Sequence, residues 1–158
     1  MGESLPASAQ RVQDALAAAG VGAQVRELPD SARTAAAAAE ALGCAVGAIA
    51  NSLIFMADGA PLLVMTSGAH RVDVVALAQR LGKARIKRAD PDQVRAATGQ
   101  AIGGVAPVGH PAPVETVVDA DLEGYAQIWA AGGTPHAVFP TTFKELLELT
   151  SGSVVDVA

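Results

Sequence analysis

Two short stretches carry the residue types best suited to holding a small polar group: Gly104-Val105-Ala106-Pro107-Val108-Gly109 and Gly132-Gly133-Thr134-Pro135-His136. Glycine lets a backbone approach a ligand closely and aim its N–H groups, while proline holds the curvature, so such corners can cradle an oxygen. They suit a purely structural turn equally well, and the corners alone leave both readings open. Other chemistries lack their residues. His70, His110 and His136 lie far apart with no Cys or carboxylate at ligand spacing, so no metal site and no cofactor is expected. The glycines match neither a phosphate-binding loop nor a dinucleotide fingerprint, and Ser67-Gly68 is not part of a GxSxG elbow. Cys44 follows a helix stop at Leu42-Gly43, where the helix dipole disfavours a thiolate, and reads as a small buried hydrophobe.

The elements that must position these corners can be read from periodicity. Val12, Ala15, Leu16 and Ala19 recur at helical spacing over 8–19, and Gly20 stops that helix. Pro29-Asp30-Ser31 predicts a turn, after which Thr34 caps an alanine-rich helix ending at Leu42-Gly43. The apolar runs 52–56 and 62–65, split by Asp58-Gly59, predict an antiparallel hairpin. A third helix spans about 72–81, with Val74, Leu77, Ala78 and Leu81 on one face and Gly82 beyond its end. Lys83, Arg85 and Lys87 alternate with Ala84 and Ile86, the period of a strand with one basic face. Asp90-Pro91-Asp92-Gln93 opens a short helix over 91–97. Residues 98–113 form a long special loop, which at this length is functional or disordered, and Ile102, Val105 and Val108 favour order. Strands are expected at 114–118, 128–131 and 137–139, then a helix opened by the capping box Thr142–Glu145 and an edge strand at Val154-Val155.

These 158 residues are 51% hydrophobic, enough for one compact domain with a sizeable core, and strands interspersed with helices indicate an α+β or mixed α/β fold. The expectation is a single domain over 1–158, with a central mixed sheet flanked by helices that pack through Val12/Leu16 and Leu77/Leu81. No apolar run approaches the length of a membrane span, and the start carries neither a basic nor an apolar leader region, so the expected compartment is cytoplasmic. A single cysteine agrees with a reducing environment. The net charge of −5 argues against a non-specific nucleic-acid coat. Its distribution is uneven: 71–95 holds seven basic and three acidic residues, a segment of +4 in a chain whose remainder is −9.

Thr34, the stretch from Ile49 to Phe55, the Gly104-x-x-Pro107-x-Gly109 loop, and Gly124-Tyr125 followed by Trp129-Ala-Ala-Gly-Gly-Thr-Pro135 together resemble the YbaK family, the prolyl-tRNA synthetase-associated editing domains. The resemblance runs from about Ser8 to Val155. It implies a trans-editing deacylase, one that hydrolyses the ester between a proline tRNA and a wrongly attached small amino acid such as alanine. Aminoacylated tRNA is then the partner, with prolyl-tRNA synthetase beside it. One position departs from the family pattern: the motif Ala50-Asn51-Ser52-Leu53 carries Asn51 where the family has lysine, and Asn51 hydrogen-bonds but cannot carry charge. A non-catalytic protein that binds aminoacylated tRNA ends, or a related nucleotide-linked aminoacyl group, is therefore the second reading.

An aminoacyl ester is already reactive, so editing demands oriented donors more than a strong base. The backbone of Gly104, Val105, Pro107 and Gly109 is assigned to the ester carbonyl and its oxyanion, with Asn51 beside it, and Gly132, Gly133 and Thr134 to the opposite wall. Ser52 and Ser67 are assigned to substrate binding. So is Thr34, which also reads as a helix cap, and so are His110 and His136, which also read as exposed loop histidines. Lys83, Arg85, Lys87 and Arg88 are expected on tRNA phosphates, and Trp129 fits the core or a base-stacking platform.

Overall fold

The computed structural model describes residues 5–29 and 34–158. In chain order the described elements are α1 (Ala7–Ala18), β1 (Arg26–Glu27), α2 (Ala35–Leu42), β2 (Ile49–Ala57), β3 (Ala60–Ser67), α3 (Val74–Leu81), β4 (Ile86–Arg88), α4 (Pro91–Thr98), β5 (Glu115–Asp119), β6 (Ile128–Ala131), β7 (Ala137–Thr141), α5 (Phe143–Thr150) and β8 (Ser153–Val155). Single turns of 3-10 helix occupy Val46–Ala48 and Ala120–Gly124. The strands form one mixed sheet in the order β1-β7-β6-β2-β3-β5-β8, with β4 attached to β2. The β2–β3 hairpin is antiparallel; β6, β5 and β8 add parallel pairings. This is the mixed α/β architecture that the sequence predicts.

Period-2 alternation sorts the strand residues into two faces. Ile54, Leu63, Met65, Val118, Ile128 and Phe139 bury one face with Val12 and Leu16 of α1, Val94 of α4 and Leu146 of α5. Phe55, Leu62, Val64 and Val117 bury the other with Leu77 and Ala78 of α3, while α2 covers Ile49 and Trp129 through Ala38 and Ala39. The sheet is thus sandwiched between two helix layers, and each fully buried Leu or Phe contributes about 1.5–3 kcal/mol by leaving water. The caps fall where the sequence puts them. Thr34 Oγ1 accepts from Ala37 N–H at 3.0 Å, Asp90 and Gln93 form a reciprocal capping box, and Gly43, Gly82 and Gly99 end their helices at positive φ. The turn expected at Pro29-Asp30-Ser31 lies partly outside the described residues.

The basic strand is shorter than its alternation suggests. Only Ile86–Arg88 pairs with β2, and Lys83, Ala84 and Arg85 form an irregular connection. β2 ends at Ala57, opposite Ile86, and beyond that end the carboxylate of Asp58 in the β2–β3 turn accepts from Ala84 N–H at 3.1 Å and Arg85 N–H at 2.8 Å. Asp58 N–H also donates to the Arg85 carbonyl at 3.0 Å, and Lys83 and Arg85 fall outside the strand that carries Lys87. The two bonds to the carboxylate also hold the Asp58 carboxyl below its usual range. In Asp58→Ala, amide exchange is expected to show Ala84 and Arg85 losing protection while Met56 and Lys87, paired within the sheet, keep theirs.

Candidate functional site

A cavity of about 360 Å³ opens where the sheet divides beside β2, a size within the usual range for small-molecule sites. Asn51, Ser52, Leu53 and Ile54 of β2 form its floor. Arg88 and Ala89 at the end of β4 bound one side, and Trp129, Ala130 and Ala131 of β6 the other. Thr34, Ala35 and Ala38 close it from α2, and Ile102, Gly103 and Val105 from the long loop. The walls are mostly apolar, with polar groups at Thr34, Asn51, Ser52 and Arg88. Among the described lining residues there is no Asp, Glu, His, Cys or Lys.

Of the assigned residues, Thr34, Asn51, Ser52, Arg88 and Val105 reach this cavity. Thr34 caps α2 and lines the cavity at once. Ser52 Oγ lies 3.1 Å from Met65 Sδ. The two glycine corners meet each other rather than facing across the site. A Cβ on Gly104 would collide with the Thr134–Pro135 peptide, 2.6 Å from Pro135 N, so the corners make one wall, whose inner surface is Gly103, Val105 and Pro135. Gly132 packs on Val25 and Ala137, and Gly133, at φ +102°, packs on the Ser8 carbonyl of α1. Gly109, at φ +84°, sits 3.4 Å from Gln100 Nε2 by the position a Cβ would take. Pro107, Gly109, Gly132, Gly133, Thr134 and His136 are not among the lining residues. The His136 carbonyl accepts from Leu28 N–H at 2.8 Å.

The organiser of the long loop is a residue that sequence reading passes over. Gln100 is 1% exposed; its Oε1 accepts from Ala106 N–H at 2.7 Å and its Nε2 donates to the Val108 carbonyl at 3.2 Å. A buried amide satisfied on both ends pins the loop to one shape. His110 continues the arrangement, its Nε2 2.7 Å from the Ala106 carbonyl, which can only accept. Burial pushes the His110 pKa down, against the opposing pull of that bond. Trp129 has a partner too: the Arg26 guanidinium carbon lies 4.6 Å from the ring centroid, a cation–π contact. Arg26 carries no local signal because it acts on a ring far along the chain, and Gln100 carries none because its partners are backbone groups of the loop, which no residue type marks.

Ser67 lies outside the cavity, buried at the end of β3. Its Oγ donates to the Gly47 carbonyl at 2.7 Å and its N–H donates to Asp119 Oδ2 at 3.0 Å. The same carboxylate is 2.8 Å from His70 Nδ1, and Asp121 Oδ2 is 2.8 Å from His70 Nε2. Chain distance hides this cluster from a search by spacing. With both ring nitrogens facing carboxylates, the imidazolium is the form that satisfies both contacts. Cys44 is half-buried, and desolvation raises its pKa.

A mixed sheet with a ligand-sized cavity at its split strand, bearing Thr34, Asn51, Ser52 and Arg88 on otherwise mostly apolar walls, defines a small α/β domain with a candidate small-molecule site. The chain belongs to the aminoacyl-tRNA editing domain family, whose model matches residues 29–149. It is 33% identical to the uncharacterized protein YwhH of Bacillus subtilis (strain 168) over 132 residues, 82% of this chain and 83% of that protein. It is 34% identical to a proline--tRNA ligase of Nitratidesulfovibrio vulgaris (strain DP4) over 91 residues, 58% of this chain and 16% of the ligase. A crystal structure described as a candidate trans-editing enzyme for prolyl tRNA synthetase superposes with a TM-score of 0.92 at 47% identity, covering 98% of both chains. Among the described residues no helix is long and apolar enough to cross a membrane.

The His70 cluster generates a pH prediction. The hydrogen bond to Asp119 raises the His70 pKa most; burial opposes it, and attraction to Asp119, Asp121 and Asp156 adds to it. A pKa higher in the folded than the unfolded state stabilises the fold fully below the unfolded value, and that contribution is lost as pH rises through the folded value. The urea midpoint is therefore expected to fall as pH rises from about 6.5, the ordinary histidine value, through the raised one. His70→Gln should flatten this dependence.

Proposed function

We propose that the protein is a trans-editing deacylase that removes a small, wrongly attached amino acid from proline tRNA. The observation that carries this reading is the cavity itself, apolar enough for a small side chain, rimmed by hydrogen-bonding groups and set in a chain of the editing family. In the reaction, water adds to the ester carbonyl and the bond to the ribose oxygen breaks. The amino acid leaves as a carboxylic acid and the ribose regains its hydroxyl. With no base among the described lining residues, the attacking water must be oriented by bound groups, the substrate's own neighbouring ribose hydroxyl included. Asn51 and Thr34 hold the terminal nucleotide by hydrogen bonds.

Arg88 is the one basic residue among the described residues that line the cavity. It is exposed at the cavity rim, with Lys87 beside it, and both suit tRNA phosphates. Lys83 is partly engaged by Glu115 at 3.4 Å, and with Arg85 it lies beside a separate groove formed with α3. Arg88→Ala and Lys87→Ala should each weaken tRNA binding and lower its salt slope by about 1, and Lys83→Ala should do so less.

The second reading, a protein that holds aminoacylated ends without hydrolysing them, is favoured by Asn51 in place of the family lysine. Purified protein assayed on proline tRNA charged with alanine, cysteine, 2-aminobutyrate, serine or proline separates the two. Hydrolysis of a small residue with proline spared is the expected result; binding to every charged tRNA without hydrolysis would establish the second reading instead. Gly109→Ala should reduce deacylation more than Asn51→Ala, because Gly109 needs φ +84° and abuts Gln100. Thermal unfolding of both variants separates this loop effect from loss of the fold.

A further inference from the structure

β2 lacks a neighbour along part of one edge. β6 is in register with it only at Ile49 and Ala50, opposite Trp129 and Ala130, and β4 only from Phe55 onward, opposite Arg88. Alternate residues of a strand aim their N–H and C=O at the same edge. The Ile49 carbonyl accepts from Gly68 N–H on the β3 side, whereas the Ile54 carbonyl accepts from Ala89 N–H on the other. Ser52 therefore points both its N–H and its C=O into the gap, and Ile54 points its N–H there. The registers give these three groups no ladder partner among the described strands. Backbone groups left half-buried in this way need water or a ligand to satisfy them.

The spacing of the free groups specifies a ligand. In a parallel ladder, one residue donates its N–H to the carbonyl of residue i−1 on the neighbouring strand and accepts at its own carbonyl from the N–H of residue i+1. Around Leu53 those two groups are Ser52 C=O and Ile54 N–H, both unpaired, and β6 already runs parallel to β2 at the preceding positions. An α-amino ester presents an amine and a carbonyl one carbon apart, as a residue in a strand does. We propose that the aminoacyl group binds as a one-residue parallel strand that fills the gap. Its α-amine donates to the Ser52 carbonyl and its ester carbonyl accepts from Ile54 N–H. This rests on the editing reading and deepens it, because it makes a free α-amine a condition of recognition. It also gives the carbonyl a fixed donor, supplied by β2 rather than by the glycine corners.

The test uses the full chain, labelled with 15N, and two stable amides of 3′-amino-3′-deoxyadenosine. One carries alanine; the other carries propionate, which lacks the amine. In the free protein, Ser52 and Ile54 N–H should exchange faster than Asn51 and Leu53 N–H, which face β3. The alanyl amide should slow exchange at Ile54 and bind about 10-fold or more tighter than the propionyl amide, as expected for a charge-assisted bond. Ser52 and Ile54 protected like Leu53 in the free protein would mean a closed gap and overturn the proposal. Equal binding of the two amides, with shifts at Arg88 and Trp129 but none at Ile54, would overturn it and leave the editing reading standing. Binding of neither amide would overturn both.

Discussion

A strand inside a sheet has two edges, each carrying N–H and C=O groups that must find partners, and β2 is served fully on only one of them. Along β3 its pairing runs unbroken from Ala50 to Ala57. On the other side β6 departs after Ala50 and β4 arrives at Phe55, so the sheet parts around the middle of the strand. Everything else at the site follows from that parting. The cavity is the space between the two neighbours, its side walls are their ends, and α2 and the long loop close it.

Keeping such a gap open requires rigid surroundings, because a packed interior otherwise relaxes into empty space. Three devices supply the rigidity without placing a charge in the cavity. Gln100 fixes the loop from inside, the close approach of Gly104 to the Thr134–Pro135 peptide locks the loop to the β6–β7 corner, and Arg26 stacks on Trp129. At the end of β3 and β5, Asp119 joins Ser67, His70 and the following 3-10 turn through Asp121 N–H. The site is thus framed by polar and close backbone contacts, whereas the helices are held on the sheet mainly by apolar packing, with single polar ties such as Thr141 Oγ1 donating to Glu145 of α5.

The helices were legible because their signals are local. Periodic apolar residues, the caps at Thr34, Asp90 and Thr142 and the closing glycines all act within a few positions. The β2–β3 hairpin was legible from Asp58-Gly59 for the same reason. What the sequence concealed depends on distance along the chain. The alternation of Lys83, Arg85 and Lys87 implied a longer strand, but β2 ends opposite Ile86 and the remote Asp58 carboxylate takes the N–H groups of Ala84 and Arg85. The glycine corners looked like two opposed walls because nothing local reveals that Gly104 rests against Thr134. Asn51, Ser52 and Val105 do line the cavity, but the feature that makes β2 distinctive there, a missing neighbour, belongs to topology and leaves no mark in composition.

Trp129 is the single tryptophan of the chain, and it stands in the cavity wall, 8% exposed and stacked under a guanidinium. The protein therefore carries a built-in optical reporter. Light absorbed at the indole edge is emitted from one place only, a ring whose surroundings change when any ligand enters the cavity beside it. Occupancy of the site can be followed by intrinsic emission in the unmodified chain, at low concentration and in real time, and withdrawal of the Arg26 guanidinium would register in the same signal.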